Sequence, residues 1–379
     1  MLLQENKPLA PFTTLGIGGP ARWFVEAASE EEIAEAAFWA RTSKTPLFVL
    51  GGGSNLLVSD AGFDGLVLRV GLRGIAVGLV VDEDDSPCRF LEEHSSGDKA
   101  PVDSGGSDVR AKALTYQAAA GEDWDCFVQR TVEDNCAGVE CLAGIPGTVG
   151  GTPVQNVGAY GQEVASAIER VRAFDLQEHK FVEFEAVECG FAYRRSRFNS
   201  GDLGRYIVTR VDYRLRPGGA PTLRYAELQQ AFPKGAQPSL VEVAAQVRRI
   251  RKAKGMLIIE GDPDCRSAGS FFKNPIVSVK QFRQIAAASK TTPPCYPAVP
   301  EAENQGQVKV PAAWLIEQAG FTKGYALGAA AVSSRHTLAL VNLGGATAKE
   351  ILALAGQITT SVERRFGIRL EMEPVMMGF

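Results

Sequence analysis

The sequence predicts an α+β protein of two or three domains. Three observations carry this. The chain has 379 residues against roughly 150 per domain. Its first part shows a strand–helix–strand pattern that runs into a glycine loop, and a glycine-rich middle gives way to alternating strands and then to mixed helices and strands.

The elements follow in order. Ser29-Glu30-Glu31-Glu32 has the form of a helix start, with Ser29 as N-cap and Glu32 as its capping-box partner. Ile33, Ala36, Ala37 and Ala40 then supply an apolar face at helical spacing. Leu47–Leu50 is a short strand that feeds Gly51-Gly52-Gly53-Ser54-Asn55, and residues 66–68 form another. Residues 82–109 are polar and rich in Ser, Gly, Asp and Glu, which predicts a mobile surface loop. Order resumes at LTYQAAAGEDW. Residues 207–215 alternate apolar and polar, as a half-buried strand does, and Leu240–Ala253 reads as a helix with a basic end.

Apolar residues make up 45% of the chain and charged residues 22%, an ordinary globular balance. The net charge of −4 gives no reason to expect a nucleic-acid or membrane-surface partner. The N-terminal residues lack the basic start and long apolar run of a signal peptide, so a cytoplasmic protein is expected. The seven cysteines are scattered and never spaced CxxC, which fits thiols in a reducing compartment. His94, His179 and His336 lie far apart, and no metal site is expected.

Three glycine-rich segments stand out: 51–55, 144–151 and 156–161. Glycines let backbone amides approach an anion and wrap a phosphate, and they also simply make turns. Segment 51–55 lacks the Gly-Lys-Ser/Thr ending of a P-loop. Gly16-Ile17-Gly18-Gly19-Pro20-Ala21 fits GxGxxA, but no convincing strand precedes it and Pro20 sits badly for the helix a Rossmann site needs.

From near the N-terminus to the last residues, FTTLGIGGPA, LGGGSNLLVSD, GIPGTVGGTPVQNVGAYG, CGFAYRRSRF, RYAEL, SAGSFFKNP, AAWLIEQAG and LEMEP follow one another. In this order and at these intervals they resemble the UDP-N-acetylenolpyruvoylglucosamine reductase family, in its first structural type. The resemblance implies a vanillyl-alcohol-oxidase-type FAD fold of two α+β subdomains, with a third α+β domain for substrate. It places FAD, held without a covalent bond, on residues 1–71 and on residues 72–254 with 367–379, and substrate on residues 255–366. It implies that Gly51, Gly52, Gly53, Ser54, Asn55, Ile145, Pro146, Gly147, Gly150 and Gly151 face the cofactor. The activity it implies is NADPH-dependent reduction of the enolpyruvyl ether of UDP-N-acetylglucosamine enolpyruvate to UDP-N-acetylmuramate, in peptidoglycan precursor synthesis, by a monomer.

That chemistry needs an anion stabiliser, a proton donor and a nucleotide-sugar clamp. Ser270 in GSFFKNP is on its own either a turn serine or a buried acid, and the match makes it the proton donor. Arg194 is a surface arginine or a bidentate carboxylate ligand, and the match gives it the enolpyruvyl carboxylate. Glu373, an edge-strand carboxylate or a proton-sharing group, falls at the family's catalytic glutamate, within an expected apolar C-terminal strand over residues 370–377. Arg251 and Lys254, read as one helix face, are a solvated basic end or, by the match, substrate ligands. Tyr193, Tyr225, Asn274 and His336 fall at substrate positions of the family, with Tyr225 toward the diphosphate.

Overall fold

The structure, a computed structural model, describes residues 1–80, 90–91, 113–289, 291–297 and 306–379. The expected loop over 82–109 lies outside the described residues except for Phe90–Leu91, a short strand antiparallel to Ile75–Val80. Contacts divide the chain into two units, one of residues 1–2, 25–52 and 68–250, the other of residues 3–24, 53–67 and 251–379.

The first unit is built on an antiparallel sheet, seven-stranded among the described residues. Its order is Lys180–Glu185, Ile168–Asp175, Tyr206–Pro217, Ala113–Ala119, Ile75–Val80 and Phe90–Leu91, with Cys136–Ala137 pairing the end of Tyr206–Pro217. The strand expected over 207–215 is one stretch of that central strand, but it is more than half-buried: polar Thr209 and Asp212 are buried along with Val208, Val211, Tyr213 and Leu215, Thr209 on Glu30 and Asp212 on Arg210. Helix Trp124–Glu133 starts at Asp123, whose carboxylate accepts from the Cys126 N–H at 2.9 Å. It buries Trp124, Phe127, Val128 and Val132, and the Phe127 ring lies 4.7 Å from the Tyr213 ring.

Helix Glu30–Thr42 buries the four predicted residues, Ile33, Ala36, Ala37 and Ala40. Ser29 caps it, accepting from Glu32 N–H at 3.3 Å. The reciprocal half of the capping box differs from expectation: the Glu32 carboxylate accepts from Ala28 N–H at 2.7 Å rather than from Ser29. At the same helix end, Glu30 takes a two-nitrogen bond from Arg172 at 2.9 Å each and a Thr209 hydroxyl at 2.7 Å.

The second unit has an apolar core that includes Leu15, Ile17, Leu57, Phe271, Phe272, Leu315, Val332, Leu340, Ile351 and Ile358. Helix Ala348–Phe366 lays Ile351, Leu354, Ala355, Ile358 and Val362 on it. Thr347 and Glu350 close a capping box at its start, and Gly367 ends it in the left-handed region. Asp60 accepts from Ala348 N–H at 2.7 Å and Lys349 N–H at 3.1 Å, which adds a negative charge at the positive helix end.

The C-terminal strand is shorter than expected. Only Val375–Met377 is a strand, parallel to Leu56–Val58. Pro374 has no N–H to give a ladder, so Glu373 precedes the strand instead of lying within it.

Candidate functional site

In the first unit the two glycine loops that the sequence marks for a cofactor meet at backbone distance. A Cβ on Gly52 would stand 2.6 Å from the Gly147 Cα, and one on Gly51 would stand 3.0 Å from Thr148 Oγ1. Thr148 Oγ1 is buried and has no hydrogen-bond partner among the described residues. Gly144 N–H donates to Asp125 at 2.6 Å, and the same Asp125 oxygen takes Arg248 at 2.6 Å, so the start of the second loop is anchored. Gly150 N–H donates to the Ala120 carbonyl at 2.8 Å, and a Cβ on Gly150 would lie 2.6 Å from Ala120 Cβ. The loops therefore form a side-chain-free cradle with a spare hydroxyl, which suits a phosphate-bearing cofactor. Ile145 and Pro146 are half-buried in the same stretch, and Gly151 is exposed.

The third glycine segment braces two other candidates. Arg194 sits at φ 54°, and its guanidinium donates to the Gly158 carbonyl at 2.8 Å and the Asn156 carbonyl at 3.4 Å. Asn199 donates to the Arg194 carbonyl at 3.1 Å, and the Tyr193 ring lies 5.5 Å from the guanidinium. Tyr160, in the same segment, packs edge-on against Tyr225 at 5.4 Å. Arg195, next in sequence, is exposed.

The second unit joins Ser270 and Glu373 through their neighbours. Phe272 and Met372 form a β-bridge, and Glu373 N–H donates to the Phe271 carbonyl at 2.9 Å. Gly269, at φ 72°, turns the chain into Ser270. Asn55 ties the same segment, donating to the Glu373 carbonyl at 3.3 Å while its own carbonyl accepts from Val375 N–H at 2.9 Å. Gly53, at φ 63°, would put a Cβ 1.9 Å from the Phe12 carbonyl oxygen. The Ser54 carbonyl accepts from the Thr14 hydroxyl at 3.4 Å.

A basic cluster lies in the same unit. The helix ends at Ala253, and Lys254 follows in a tighter turn whose N–H donates to the Arg251 carbonyl at 3.2 Å, which keeps Arg251 and Lys254 on one side. Arg251 is buried and donates to the Met256 carbonyl at 2.6 Å. Burial first, and then repulsion from Lys254, Lys323 and Arg251, hold the His336 imidazole down to about 4. Lys323, a further cation acting on His336, lies in no motif of its own. Asn274 caps another element: its side-chain carbonyl accepts from Ala312 N–H at 2.9 Å, at the start of helix Ala312–Gln318.

Comparison with known proteins gives this geometry its class. An FAD binding domain model matches residues 21–86 and 104–179, over both cradle loops, which makes the chain an FAD-dependent flavoprotein. The C-terminal domain model of UDP-N-acetylenolpyruvoylglucosamine reductase matches residues 262–377. The UDP-N-acetylenolpyruvoylglucosamine reductase of Thermobifida fusca is 42% identical over 99% of this chain and 98% of its own length. That of Streptomyces coelicolor is 41% identical over 99% of this chain and 90% of its own. The crystal structure of the Thermus caldophilus reductase matches with a TM-score of 0.61 and 27% identity, over 99% of this chain and 100% of that one. The chain belongs to the UDP-N-acetylenolpyruvoylglucosamine reductase family. The expected α+β fold with an FAD-binding domain stands with it.

Proposed function

We propose that the chain reduces the enolpyruvyl ether of UDP-N-acetylglucosamine enolpyruvate to UDP-N-acetylmuramate, with Arg194, Ser270 and Glu373 acting on the reacting group. FAD, when bound, supplies the hydride that it has taken from NADPH. Gly51, Gly52, Gly53, Ser54, Asn55, Ile145, Pro146, Gly147, Gly150 and Gly151 hold the cofactor in this reading, and the Gly52–Gly147 approach supports it.

Arg194 binds the substrate carboxylate and stabilises the negative charge that grows toward it as the hydride arrives. Its two backbone braces on the 156–158 loop fix the guanidinium in advance. Ser270 Oγ gives its proton to the carbon next to the one that receives hydride. Glu373 holds or shares a proton during the same event. Tyr193, Tyr225, Arg251, Lys254, Asn274 and His336 bind the nucleotide sugar, with cations set toward its diphosphate. The observation that carries the reading is the bridge from Phe272 to Met372, which brings an acid-bearing segment and the Ser270 turn side by side.

The proposal extends to a monomeric enzyme of the cytoplasm without nucleic-acid or membrane partners. No helix among the described residues is long and apolar enough to cross a membrane. Residues 1–71 and residues 72–254 with 367–379 serve FAD in it, and residues 255–366 serve substrate. Anaerobic stopped-flow absorbance tests the core of it. NADPH should bleach the flavin band, and the enolpyruvyl nucleotide sugar should restore it. Reduced enzyme that the sugar leaves bleached refutes the proposal.

A further inference from the structure

The second unit holds a buried carboxylate that the proposed chemistry does not use. Asp264 is 6% exposed. Its Oδ1 accepts from the Ser333 hydroxyl at 2.7 Å and the Ser334 N–H at 2.9 Å. Its Oδ2 accepts from the Ser334 hydroxyl at 2.7 Å and lies 3.0 Å from Arg335 Nε. Burial acts to raise this carboxyl, but Ser334, Ser333 and Arg335 together hold it below the usual carboxylate range. An ionised group with this many donors fixes the donors as firmly as they fix it.

Arg335 carries the hold to a second segment. Its Nη2 grips both oxygens of Asp262 at 2.6 and 2.5 Å, and its Nη1 donates to the Lys252 carbonyl at 3.1 Å. Ser333 Oγ, while donating to Asp264, accepts from the N–H groups of Arg335 at 3.1 Å and His336 at 3.3 Å. Gly255 closes against the same carboxylate: it sits at φ 65°, and a Cβ there would stand 2.7 Å from Asp264 Cβ. One network thus ties the turn that presents His336 to the helix end that presents Arg251 and Lys254.

We infer that Asp264 and Arg335 are positioning residues for nucleotide-diphosphate binding, holding His336, Arg251 and Lys254 in one arrangement without touching the ligand. The inference rests on the proposed role of those three residues. Its physical content is preorganisation: cations fixed before the ligand arrives lose little freedom when it binds. Such a network acts on affinity and leaves the reacting carbons to other groups, so a KM effect without a kcat effect is its signature.

The test uses flavin-loaded enzyme and UDP as the probe, with flavin content and melting midpoint recorded for each variant. Asp264→Asn and Arg335→Met should each weaken UDP binding, and raise KM for the enolpyruvyl nucleotide sugar, by about tenfold, while kcat stays within about twofold. Arg335→Lys, which keeps the cation but not the fork, should recover part of the loss. Lys254→Ala is the reference. If it loses UDP affinity while Asp264→Asn and Arg335→Met bind normally, the inference falls and the site reading stands. If Lys254→Ala also binds normally, the site reading falls and the inference with it. Should Asp264→Asn not fold, Arg335→Met decides alone, since Arg335 is partly exposed. A fall in kcat at unchanged UDP affinity also overturns it.

Discussion

Ser270 and Glu373 stand 103 positions apart in sequence yet on neighbouring segments, because Glu373 N–H is held by the Phe271 carbonyl at 2.9 Å. This arrangement predicts that Ser270→Ala slows reoxidation of reduced flavin by substrate by about 10²–10⁴-fold, the usual loss for a positioned general acid. Reduction by NADPH should keep its rate, since no proton goes to the substrate carbon in that step. Equal slowing of both half-reactions in stopped flow would show that the serine serves the fold. His336 supports a second prediction. Its imidazole is held to about 4 by burial and by Lys254, Lys323 and Arg251, so it is neutral at pH 6. A diphosphate bound among those cations favours the protonated ring, and its NMR titration midpoint should move up when UDP is added. An unmoved midpoint would separate His336 from the anion site. At this scale the sequence nominates residues that sit inside a local motif, as Ser270 and Arg194 do. Lys323, Asp264 and Thr148 were not readable, because their roles come from partners such as Ser333, His336 and Gly51 that only the fold brings near.

Elements whose pattern is local could be read to the residue. Leu47–Leu50 and Leu240–Ala253 have the predicted bounds, and the four apolar residues of helix Glu30–Thr42 are all buried. Pro374 cuts the C-terminal strand to Val375–Met377, and Gly255 in the left-handed region follows the end of the basic helix. The glycine loops give a prediction of this scale. Gly52→Ala would drive a methyl into the backbone at Gly147, 2.6 Å away, and neither loop has a flexible side chain there to yield. The purified variant should retain less flavin than wild type, measured as the ratio of flavin to protein absorbance, and added FAD should bind more weakly. Full flavin content would mean that the two loops can part without cost to the cofactor. Helix Ala348–Phe366 offers a stability test. Asp60 accepts from two first-turn amides, and Asp60→Ala should cost about 1 kcal/mol, as loss of a capping group does. An unchanged melting midpoint would show that Thr347 and Glu350 cap the helix by themselves.

On the scale of the whole molecule, the groups that titrate on acidification mostly pull one way. Glu30 is lowered on balance, since Arg172 and Thr209 outweigh its burial, and Arg205 and Arg335 hold Asp175 and Asp262 below the usual range. A carboxyl lowered by folding contributes stability above its unfolded value, and this is lost as pH falls through the folded value. With ordinary values of 3.8 and 4.5 for these groups, their losses begin only below about pH 4.5. Asp212 opposes them, because burial raises it and folding then disfavours its ionised form. His336 acts earlier. Its value falls from 6.5 in the unfolded chain to about 4 in the folded one, so between those values the unfolded chain binds the extra proton. Stability attributable to His336 is therefore present above pH 6.5 and declines as pH drops toward 4. The melting midpoint should drop between pH 6.5 and 5 before the lowered carboxylates begin to titrate, by about 1–2 °C for each kcal/mol lost in a chain of this size. His336→Gln cannot take up that proton, and its midpoint should stay flat over the same interval. Parallel declines in wild type and His336→Gln would place the acid sensitivity in other groups and would leave the depressed imidazole without a part in it.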